Sequence, residues 1–365
     1  MPNFNRRRML IAAMIAACSH GRTANGTVPE SPATRADPAR TLRFPGDHGS
    51  HPDFRIEWWY ATGWLRDREE RELGFQITFF RAKPQIKPGN PSAFTPEHVI
   101  IAHAAVSDPR QGRLIHAQRA GRAVLGMAGA DTADTHVWLD DWRLARRDGA
   151  YRARIVAAEL DLDLSLLPVQ PVLLQGNNGY SRKGPDPDAA SHYYSVPQLQ
   201  VSGSLRGSGA AQPVNGTAWL DHEWSSSYLP KNAAGWDWVG INLDDGGALM
   251  AFRMRGREKS PTLWAAATLR DRSGHIRRFG PEAVRFSELR AWQSPRTGIT
   301  YPVAFRIKAG DLEVVLEPMF DDQENDTRRT TGAVYWEGAV RVSSKGLALG
   351  RGYLELTGYG EPLKL

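Results

Sequence analysis

Much of the chain alternates between hydrophobic and polar residues in steps of two. From Leu160 to Leu166 the alternation is unbroken, and Leu199 to Leu205 follows the same pattern more loosely. Successive side chains of a β-strand point to opposite faces, so each run predicts a strand with one buried face. Because Gly, Asp and Pro separate such runs, the pattern predicts an all-β, antiparallel fold.

Short β-rich runs recur along the rest of the chain. They cover residues 57–65, 73–81, 98–106, 151–157, 236–243, 263–270, 301–308, 312–317, 333–342 and 350–359. One segment, Glu282 to Arg290, predicts a short helix instead. Many short strands bounded by turn residues are typical of sandwiches and barrels.

Two of these runs resemble each other at an interval of about half the chain. Trp59 opens a segment that ends at Arg81, and Trp236 opens a similar segment that ends at Arg253. We interpret the resemblance as two related barrels, each opening with an aromatic-rich hairpin, and joined through residues 225–234. Each of the two arginines is expected to pair with a carboxylate.

The first residues have the pattern of an export signal. Arg6–Arg8 precede the apolar run Met9–Ala17, which is too short to span a bilayer. Ile15–Cys18 resembles a bacterial lipobox, in which the cysteine carries a lipid. The arginines also resemble a twin-arginine signal, although the flanking residues depart from it. We expect an exported, periplasmic lipoprotein that is attached to the membrane through Cys18.

These features divide the chain into four parts. We predict a signal peptide over residues 1–18, a flexible tether over 19–40, an N-terminal barrel over 41–225 and a C-terminal barrel over 226–365. The tether is rich in Pro, Ala, Thr and Arg and lacks apolar periodicity.

Composition supports two cores and excludes several classes of protein. The chain has 365 residues, of which 41% are hydrophobic, enough for two sizeable cores. Its one cysteine excludes an intrachain disulfide framework and a multi-cysteine metal motif. The net charge of +6 includes three arginines of the signal, and the remaining basic residues are scattered. We therefore expect no nucleic-acid partner.

The sequence contains none of the common catalytic motifs. It has no G-x-S-x-G elbow, phosphate loop or Rossmann fingerprint, and His222-Glu223 lacks the second histidine of a zinc-protease motif. We therefore expect a site without a cofactor or a resident metal. The ligand types leave one alternative open, a metal site formed by Glu57, His192, Asp221, His222 and Glu223.

Ionisable residues are interleaved with aromatic residues in four segments. These are Glu57–Tyr60, Ser191–Ser195, Trp219–Trp224 and Trp236–Trp238. A carboxylate buried beside tryptophan has its charged form disfavoured, which raises its pKa toward that of a usable general acid. The same segments also fit a packed barrel core with a satisfied hydrogen-bond network.

These four segments, with three others, resemble a known family. The others are Gly179–Gly184, Tyr335–Gly338 and Gly352–Tyr359. Together they resemble the AttH/CrtC-like family, which includes carotenoid 1,2-hydratase, also called hydroxyneurosporene synthase. The resemblance runs in order from about Phe44 to the end of the chain. It implies two lipocalin-like antiparallel β-barrels in tandem.

The resemblance also implies roles for individual residues. A hydratase of this kind needs a proton donor and a placed water but no cofactor. It implies that Asp221 is the general acid, with His222 and Tyr194 as hydrogen-bonding partners and Glu223 beside them. The residues expected to bind the ligand are Glu57, Trp58, Trp59, Tyr60, His192, Trp236, Trp238, Arg253 and Trp336.

Two functions follow from these expectations. The first is an enzyme that hydrates, hydrolyses or isomerises an apolar or amphiphilic molecule, which the Asp221–Glu223 segment favours. The second is a carrier that holds a lipid or other hydrophobic ligand and passes it to a membrane transporter, such as one of the ABC type. The lack of a nucleophile–base motif favours the carrier, because a fold alone does not fix a function.

Overall fold

The computed structural model describes residues 34–84, 92, 95–207, 209–230, 232–257 and 262–361. The predicted signal peptide, Cys18 and residues 19–33 of the predicted tether lie outside the described residues. Thr34–Leu365 form one compact unit. Among the described residues, no helix has the length and apolar character needed to cross a membrane.

Residues 34–40, the described part of the predicted tether, contact the body of the protein. The amide of Asp37 donates to Nε2 of His192 at 3.3 Å, and Arg40 forms an ion pair with Asp47 at 2.5 Å. Arg35 also forms an ion pair with Asp188.

The first sheet contains thirteen strands. They are β1 (Ile56–Arg66), β2 (Glu72–Ala82), β3 (Val99–Ser107), β4 (Ile115–Arg122), β5 (Ala128–Ala130), β6 (His136–Leu139), β7 (Trp142–Arg147), β8 (Ala150–Val156), β9 (Asp161–Leu167), β10 (Leu173–Leu174), β11 (Tyr180–Arg182), β12 (Ala190–Arg206) and β13 (Gln212–Ser227). Their order is β4-β3-β2-β1-β13-β12-β9-β8-β7-β6-β5, with β10 and β11 beside β12.

The second sheet contains ten strands. They are β14 (Ala233–Leu243), β15 (Ala248–Gly256), β16 (Thr262–Arg270), β17 (Ile276–Phe279), β18 (Val284–Gln293), β19 (Thr300–Ala309), β20 (Leu312–Pro318), β21 (Glu324–Asp326), β22 (Val334–Ser344) and β23 (Leu347–Leu356). Their order is β17-β16-β15-β14-β23-β22-β20-β19-β18, with β21 beside β22. Two 3-10 helices, Gly46–His48 and Pro109–Gln111, complete the described elements.

The two sheets have the same topology. In each, the first strand pairs with the second and with the last, so the chain closes back on its own start. The first sheet curls until Leu139 of β6 lies against Gly121 of β4. The second curls until Phe279 of β17 lies against Gly310, in the turn between β19 and β20. The prediction of an all-β protein with two tandem antiparallel barrels is confirmed.

Every β-rich run predicted from the sequence overlaps a described strand, but several strands, including β4 to β7 and β13, had no predicted run. The predicted helix from Glu282 to Arg290 is wrong, because Val284–Gln293 forms β18 and pairs with β19. Seven of the ten residues of β18 are exposed and only one is buried, since the strand lies at the edge of its sheet. An edge strand needs little alternation, and the sequence there carries little strand signal.

The repeated hairpins are equivalent, but the residue pairing inferred from their sequences is shifted by three positions. Glu57 of β1 lies opposite Arg81 of β2, and Asp237 of β14 lies opposite Arg253 of β15. Both pairs are ion pairs, which confirms the carboxylate partners expected for the two arginines. Trp59, however, faces the first core, whereas Trp236 packs between the sheets. A shift by an odd number of residues moves a side chain to the opposite face of a strand.

Four groups of buried side chains stabilise the protein, and the smallest consists of Trp64, Ala339 and Tyr353. Each barrel has its own core, and a third cluster fills the space between the two sheets. The third cluster is mainly aromatic and includes Tyr60, Tyr193, Trp219, Trp238 and Phe252. Large rings are therefore buried between the barrels, on faces that would otherwise meet water. The hydrogen bond from Nε1 of Trp64 to the carbonyl of Gly352, 2.9 Å long, also joins the two sheets.

Gly240 lies where two rings of the third cluster meet the backbone. A methyl group at this position would lie 2.6 Å from the ring of Trp238 and 2.9 Å from the ring of Trp219. We expect Gly240→Ala to lower the free energy of unfolding by about 1–3 kcal/mol, because an overpacked site forces its neighbours to move. Urea unfolding followed by tryptophan fluorescence measures the loss.

Gly207→Ala is the matched control for this prediction. Nothing lies within 4 Å of the methyl group that this substitution adds. Its effect should stay within about 0.5 kcal/mol. Equal losses in the two variants would show that the space between Trp219 and Trp238 is not tightly packed.

Candidate functional site

Strand β13 separates the predicted catalytic residues onto two faces. Leu220, His222 and Trp224 face the first core, where the ring of His222 stacks on Trp59 at a centroid distance of 4.7 Å. Asp221 and Glu223 face the second sheet. Because side chains alternate along a strand, the three consecutive ionisable residues cannot form one cluster. The structure therefore places two sites on opposite sides of β13.

The first site is a small cavity between the two sheets. Its volume is about 60 Å³, which is room for a few water molecules. The lining residues are Ile56, Trp58, Tyr60, Thr78, Phe80, Asp221, Glu223, Tyr228, Trp236, Trp238, Tyr335, Glu337 and Glu355. Asp221 thus shares the cavity with five other predicted site residues, namely Trp58, Tyr60, Glu223, Trp236 and Trp238.

Asp221 is held on the first-sheet side of the cavity by three donors. The hydroxyl of Tyr193 donates to Oδ2 at 2.7 Å, and the hydroxyl of Ser195 and the indole of Trp219 donate to Oδ1 at 2.5 and 2.7 Å. Burial raises the pKa of Asp221 to about 7, although these hydrogen bonds act in the opposite direction. The carboxyl group can therefore gain or lose a proton near neutral pH. Tyr193 also accepts a hydrogen bond from Nε1 of Trp238 at 3.1 Å.

Glu223 lines the same cavity but has a cationic partner. Nζ of Lys183 lies 2.7 Å from its carboxylate, and the hydroxyl of Ser191 also donates to it. Burial raises the pKa of Glu223, whereas Lys183 lowers it. The ammonium group of Lys183 also lies over the rings of Tyr193 and Phe252, at 4.7 and 4.6 Å from their centroids. This arrangement makes Glu223 a fixed ion-pair partner.

The second sheet contributes two further carboxyl groups to the cavity. Glu337 of β22 and Glu355 of β23 lie directly opposite each other in the strand register. Nε1 of Trp236 donates to Oε2 of Glu355 at 3.0 Å. Burial raises the pKa of both groups.

The second site lies inside the first barrel and is organised by Glu57. This fully buried carboxylate accepts hydrogen bonds of 2.8–2.9 Å from Ser50, from the amide and the ring of His51, from Arg81 and from His222. We call these five residues the Glu57 cluster. Burial raises the pKa of Glu57, but the hydrogen bonds from His222 and His51 outweigh it and hold the pKa well below its ordinary value.

The pKa values of the two histidines of the Glu57 cluster are shifted in opposite directions. Burial lowers the pKa of His51, but its hydrogen bonds to Asp47 and Glu57 outweigh this effect and raise it. His222 has a lowered pKa because burial outweighs the attraction of Glu57. Its Nδ1 lies 3.1 Å from the hydroxyl of Tyr194, which lies 2.8 Å from Nδ1 of His48. Tyr194 and His222 thus contact each other, but on the face of β13 opposite to Asp221.

The Glu57 cluster includes a donor set that a metal ion could bridge. One nitrogen of His51, one of His222 and one oxygen of Glu57 lie within 4.8 Å of one another. These atoms already form hydrogen bonds with one another, and Arg81 lies 2.8 Å from the second oxygen of Glu57. A cation would have to compete with this guanidinium. The metal site considered from the sequence is not assembled, because Asp221 and Glu223 lie on the other face.

The remaining predicted ligand-binding residues lie away from the cavity. Trp59 and His192 belong to the interior of the first barrel, where the ring centroids of His192 and Trp224 are 5.6 Å apart. Trp336 lies in the core of the second barrel and donates to the carbonyl of Asp321 at 2.7 Å. Arg253 forms its ion pair with Asp237 and packs on Phe286 and Phe305.

Several residues of the two sites were not predicted. Glu337 and Tyr335 flank Trp336, so the predicted segment was correct, but the residue chosen faces the wrong way. Glu355 lies in the terminal segment quoted for the family resemblance. His48 and His51 precede the first strand, where no periodic pattern marks them. Lys183 lies in the segment Gly179–Gly184, which contributes to the family resemblance, but its contact with Glu223 depends on tertiary structure.

Comparisons with known proteins identify the family of the chain and agree with its fold. Residues 35–359 match the sequence profile of a family described as AttH-like. The structure is similar to an AttH protein from Nitrosomonas europaea, with 53% identity, a TM-score of 0.85 and coverage of 90% of this chain and 100% of that chain. It is also similar to kievitone hydratase from Nectria haematococca, with 12% identity, a TM-score of 0.67 and coverage of 90% and 98%. The second likeness shows the fold alone. No curated protein sequence gives a significant match.

Replacement of the central carboxylate tests the Glu57 cluster. We expect Glu57→Gln to lower the free energy of unfolding by about 3–5 kcal/mol, because it leaves the guanidinium of Arg81, 2% exposed, without its counter-charge. Urea unfolding followed by far-ultraviolet circular dichroism measures the loss.

Glu288→Gln provides the control, because Glu288 also pairs with an arginine but is 56% exposed. We expect it to cost less than about 1 kcal/mol. A similar small loss for Glu57→Gln would mean that Arg81 is satisfied without the carboxylate.

Proposed function

The chain belongs to the AttH-like family, and we propose that it binds an apolar or amphiphilic small molecule between its two barrels and adds water to it, or removes water from it, without a cofactor. The observation that carries this proposal is Asp221, a buried carboxyl group that titrates near neutral pH in an aromatic cavity. A group of this kind can transfer a proton to or from a bound molecule.

The aromatic lining of the cavity supports hydration of a carbon–carbon double bond. Protonation of an alkene produces a carbocation, which needs a nearby electron-rich surface and protection from bulk water. The rings of Trp58, Trp236 and Trp238 line the cavity and could provide both. In this proposal Tyr193, Ser195 and Trp219 orient Asp221, in place of the His222 and Tyr194 expected from the sequence.

The relation to a hydratase supports the same reaction class. Kievitone hydratase shares the fold of this chain, and its name describes the addition of water. At 12% identity the likeness does not transfer the substrate. The chemistry is therefore proposed from the cavity, and the relative indicates that this double-barrel fold accommodates a hydratase.

A ligand larger than a few water molecules requires the cavity to expand. Binding sites for small organic molecules usually enclose about 300–1,000 Å³. Trp58 and Trp236 line the cavity and are only partly buried, so their side chains can move with less disruption than those of the cores. We infer that binding displaces these two rings.

We also propose that the protein works outside the cytoplasmic membrane as a lipoprotein. The proposal is supported by the sequence of residues 1–18, with its arginines, apolar run and Cys18. In that location a hydrophobic ligand could be exchanged with the membrane.

Substitution of Asp221 tests the reaction. Purified protein is incubated with kievitone, linear terpene alcohols and prenylated phenols in water enriched in oxygen-18, and products are detected by the mass gain of one labelled water. We expect Asp221→Asn to lower the rate by about 100- to 10,000-fold with binding nearly unchanged, because it removes the group that transfers the proton. Isothermal titration calorimetry measures the binding.

Asp163→Asn is the control, since Asp163 is 62% exposed on β9 and lies outside the cavity. Wild-type turnover by Asp221→Asn would refute its role. Tight binding of a compound that the wild-type protein never alters would instead support the carrier.

Lipid attachment is tested separately in bacterial cells. We expect Cys18→Ser to move the protein from the membrane fraction to the soluble fraction, because the cysteine thiol is the proposed site of acylation. Immunoblots of both fractions and metabolic labelling with palmitate measure the change. A variant that stays in the membrane fraction would contradict the proposed anchor.

A further inference from the structure

We propose that Glu337 and Glu355 form a carboxyl pair that shares one proton, and that Glu337 delivers this proton to the bound molecule while Asp221 accepts the proton of the attacking water. This inference rests on the proposed function and deepens it. It assigns separate acid and base groups to the two sides of the cavity. The substrate class is an apolar molecule with an electron-rich carbon–carbon double bond.

The strand register places the two glutamates side by side. They are directly opposite on β22 and β23, so their Cβ atoms are separated by about 5 Å. Two like charges at this separation in a buried site destabilise the fold, whereas a shared proton replaces the repulsion with a hydrogen bond. Trp236 fixes Glu355 through its indole nitrogen, which favours the charged form of Glu355 over that of its partner.

Asp221 and Glu337 differ in the number of hydrogen bonds of standard geometry that they accept. Asp221 accepts three hydrogen bonds, which stabilise its ionised form. By contrast, no hydrogen bond of standard geometry from a described residue reaches either oxygen of Glu337, which is 2% exposed, although the side chains of Tyr60, Asn325 and Tyr335 lie near it and lower its pKa. Burial outweighs these contacts and favours the protonated form of Glu337. Glu337 is therefore suited to be the acid and Asp221 to be the base.

The groups around the pair are mostly neutral or acidic. Six titratable groups interact electrostatically with Glu337 or Glu355. They are Tyr60 from β1, Glu223 from β13, Tyr228 from the segment between β13 and β14, Asp237 from β14, Tyr335 from β22 and Tyr353 from β23. Lys183 is the charged amine near the cavity, and it pairs with Glu223. Burial first, and then the charge of Glu355, raises the pKa of Glu337.

The proposed step is balanced in atoms and charge. The proton of Glu337 forms a C–H bond with one alkene carbon, as the π electron pair leaves the other carbon as a cation. The oxygen of a water molecule forms a C–O bond with that cation, and Asp221 takes the released water proton. The product is an alcohol, and exchange with solvent returns the proton from Asp221 to the glutamate pair.

The pair is tested by infrared spectroscopy and by kinetics on the same proteins. In the wild-type protein at pH 7 we expect a carbonyl band of protonated carboxylic acids, and Glu337→Gln should weaken it. The part that remains comes from Asp221, whose pKa is about 7, and Asp221→Asn should remove that part. With any probe that gains labelled water in the screen above, Glu337→Gln should lower the rate by about 100- to 10,000-fold. Glu317→Gln, which changes an exposed carboxylate of the same barrel, should leave both readouts unchanged.

Glu355→Gln gives a second test that does not depend on loss of activity. The amide introduced at position 355 can donate a hydrogen bond to Glu337 and, unlike the carboxylate it replaces, does not repel the ionised form of Glu337. The pKa of Glu337 should therefore fall. The wild-type rate is expected to decrease at high pH as Glu337 loses its proton and at low pH as Asp221 gains one. In Glu355→Gln the high-pH decrease should move down by about one pH unit or more.

The outcomes separate this inference from the proposed function. If the wild-type protein hydrates a probe and Glu337→Gln retains its rate and pH profile, the acid assignment is wrong while the hydratase stands. The absence of a carboxylic acid band from the wild-type protein would also overturn the inference. If the wild-type protein hydrates none of the probes, the proposed function fails, and the catalytic role of Glu337 fails with it.

Discussion

The alternation of side chains along β13 is the constraint on which both sites depend. One face of this strand belongs to the interior of the first barrel and the other to the interface between the barrels. His222 is therefore committed to the Glu57 cluster, and Asp221 is committed to the cavity. Neighbours in sequence perform separate tasks because a strand cannot turn two consecutive side chains to the same face.

The buried glutamates show how donors decide the charge of a carboxyl group. Glu57 and Glu337 are both almost inaccessible to water. Glu57 is surrounded by donors from five groups, so its ionised form is stable and it anchors the start of the first barrel. Glu337 accepts no hydrogen bond of standard geometry from the described residues, and burial outweighs the hydroxyl and amide groups near it, so its neutral form is favoured. The same residue type is thus structural in one barrel and chemically available beside the other.

The sequence predicts local structure well and the partners of each side chain poorly. The unbroken alternation from Leu160 to Leu166 identifies β9, because a strand with one buried face leaves that pattern wherever it occurs. The wrong prediction of a helix at β18 follows from the same rule, because an exposed edge strand has no buried face and so leaves no alternating pattern. Trp336 was chosen as a ligand-binding residue from a correct segment, yet its neighbours Tyr335 and Glu337 line the cavity. Which face of β22 meets the other barrel is decided by contacts with strands about 100 or more residues away.

The position of the cavity between two independently packed cores affects how this protein can diverge. The residues that line it lie on the outer faces of the barrels, and the side chains that stabilise each barrel lie on the inner faces. A substitution at Trp58 or Tyr335 can therefore reshape the cavity without creating a void in either core. The two barrel cores are thereby independent of the cavity, and the stability cost of a change there falls on the third cluster, to which Tyr60 and Trp238 of the lining also belong.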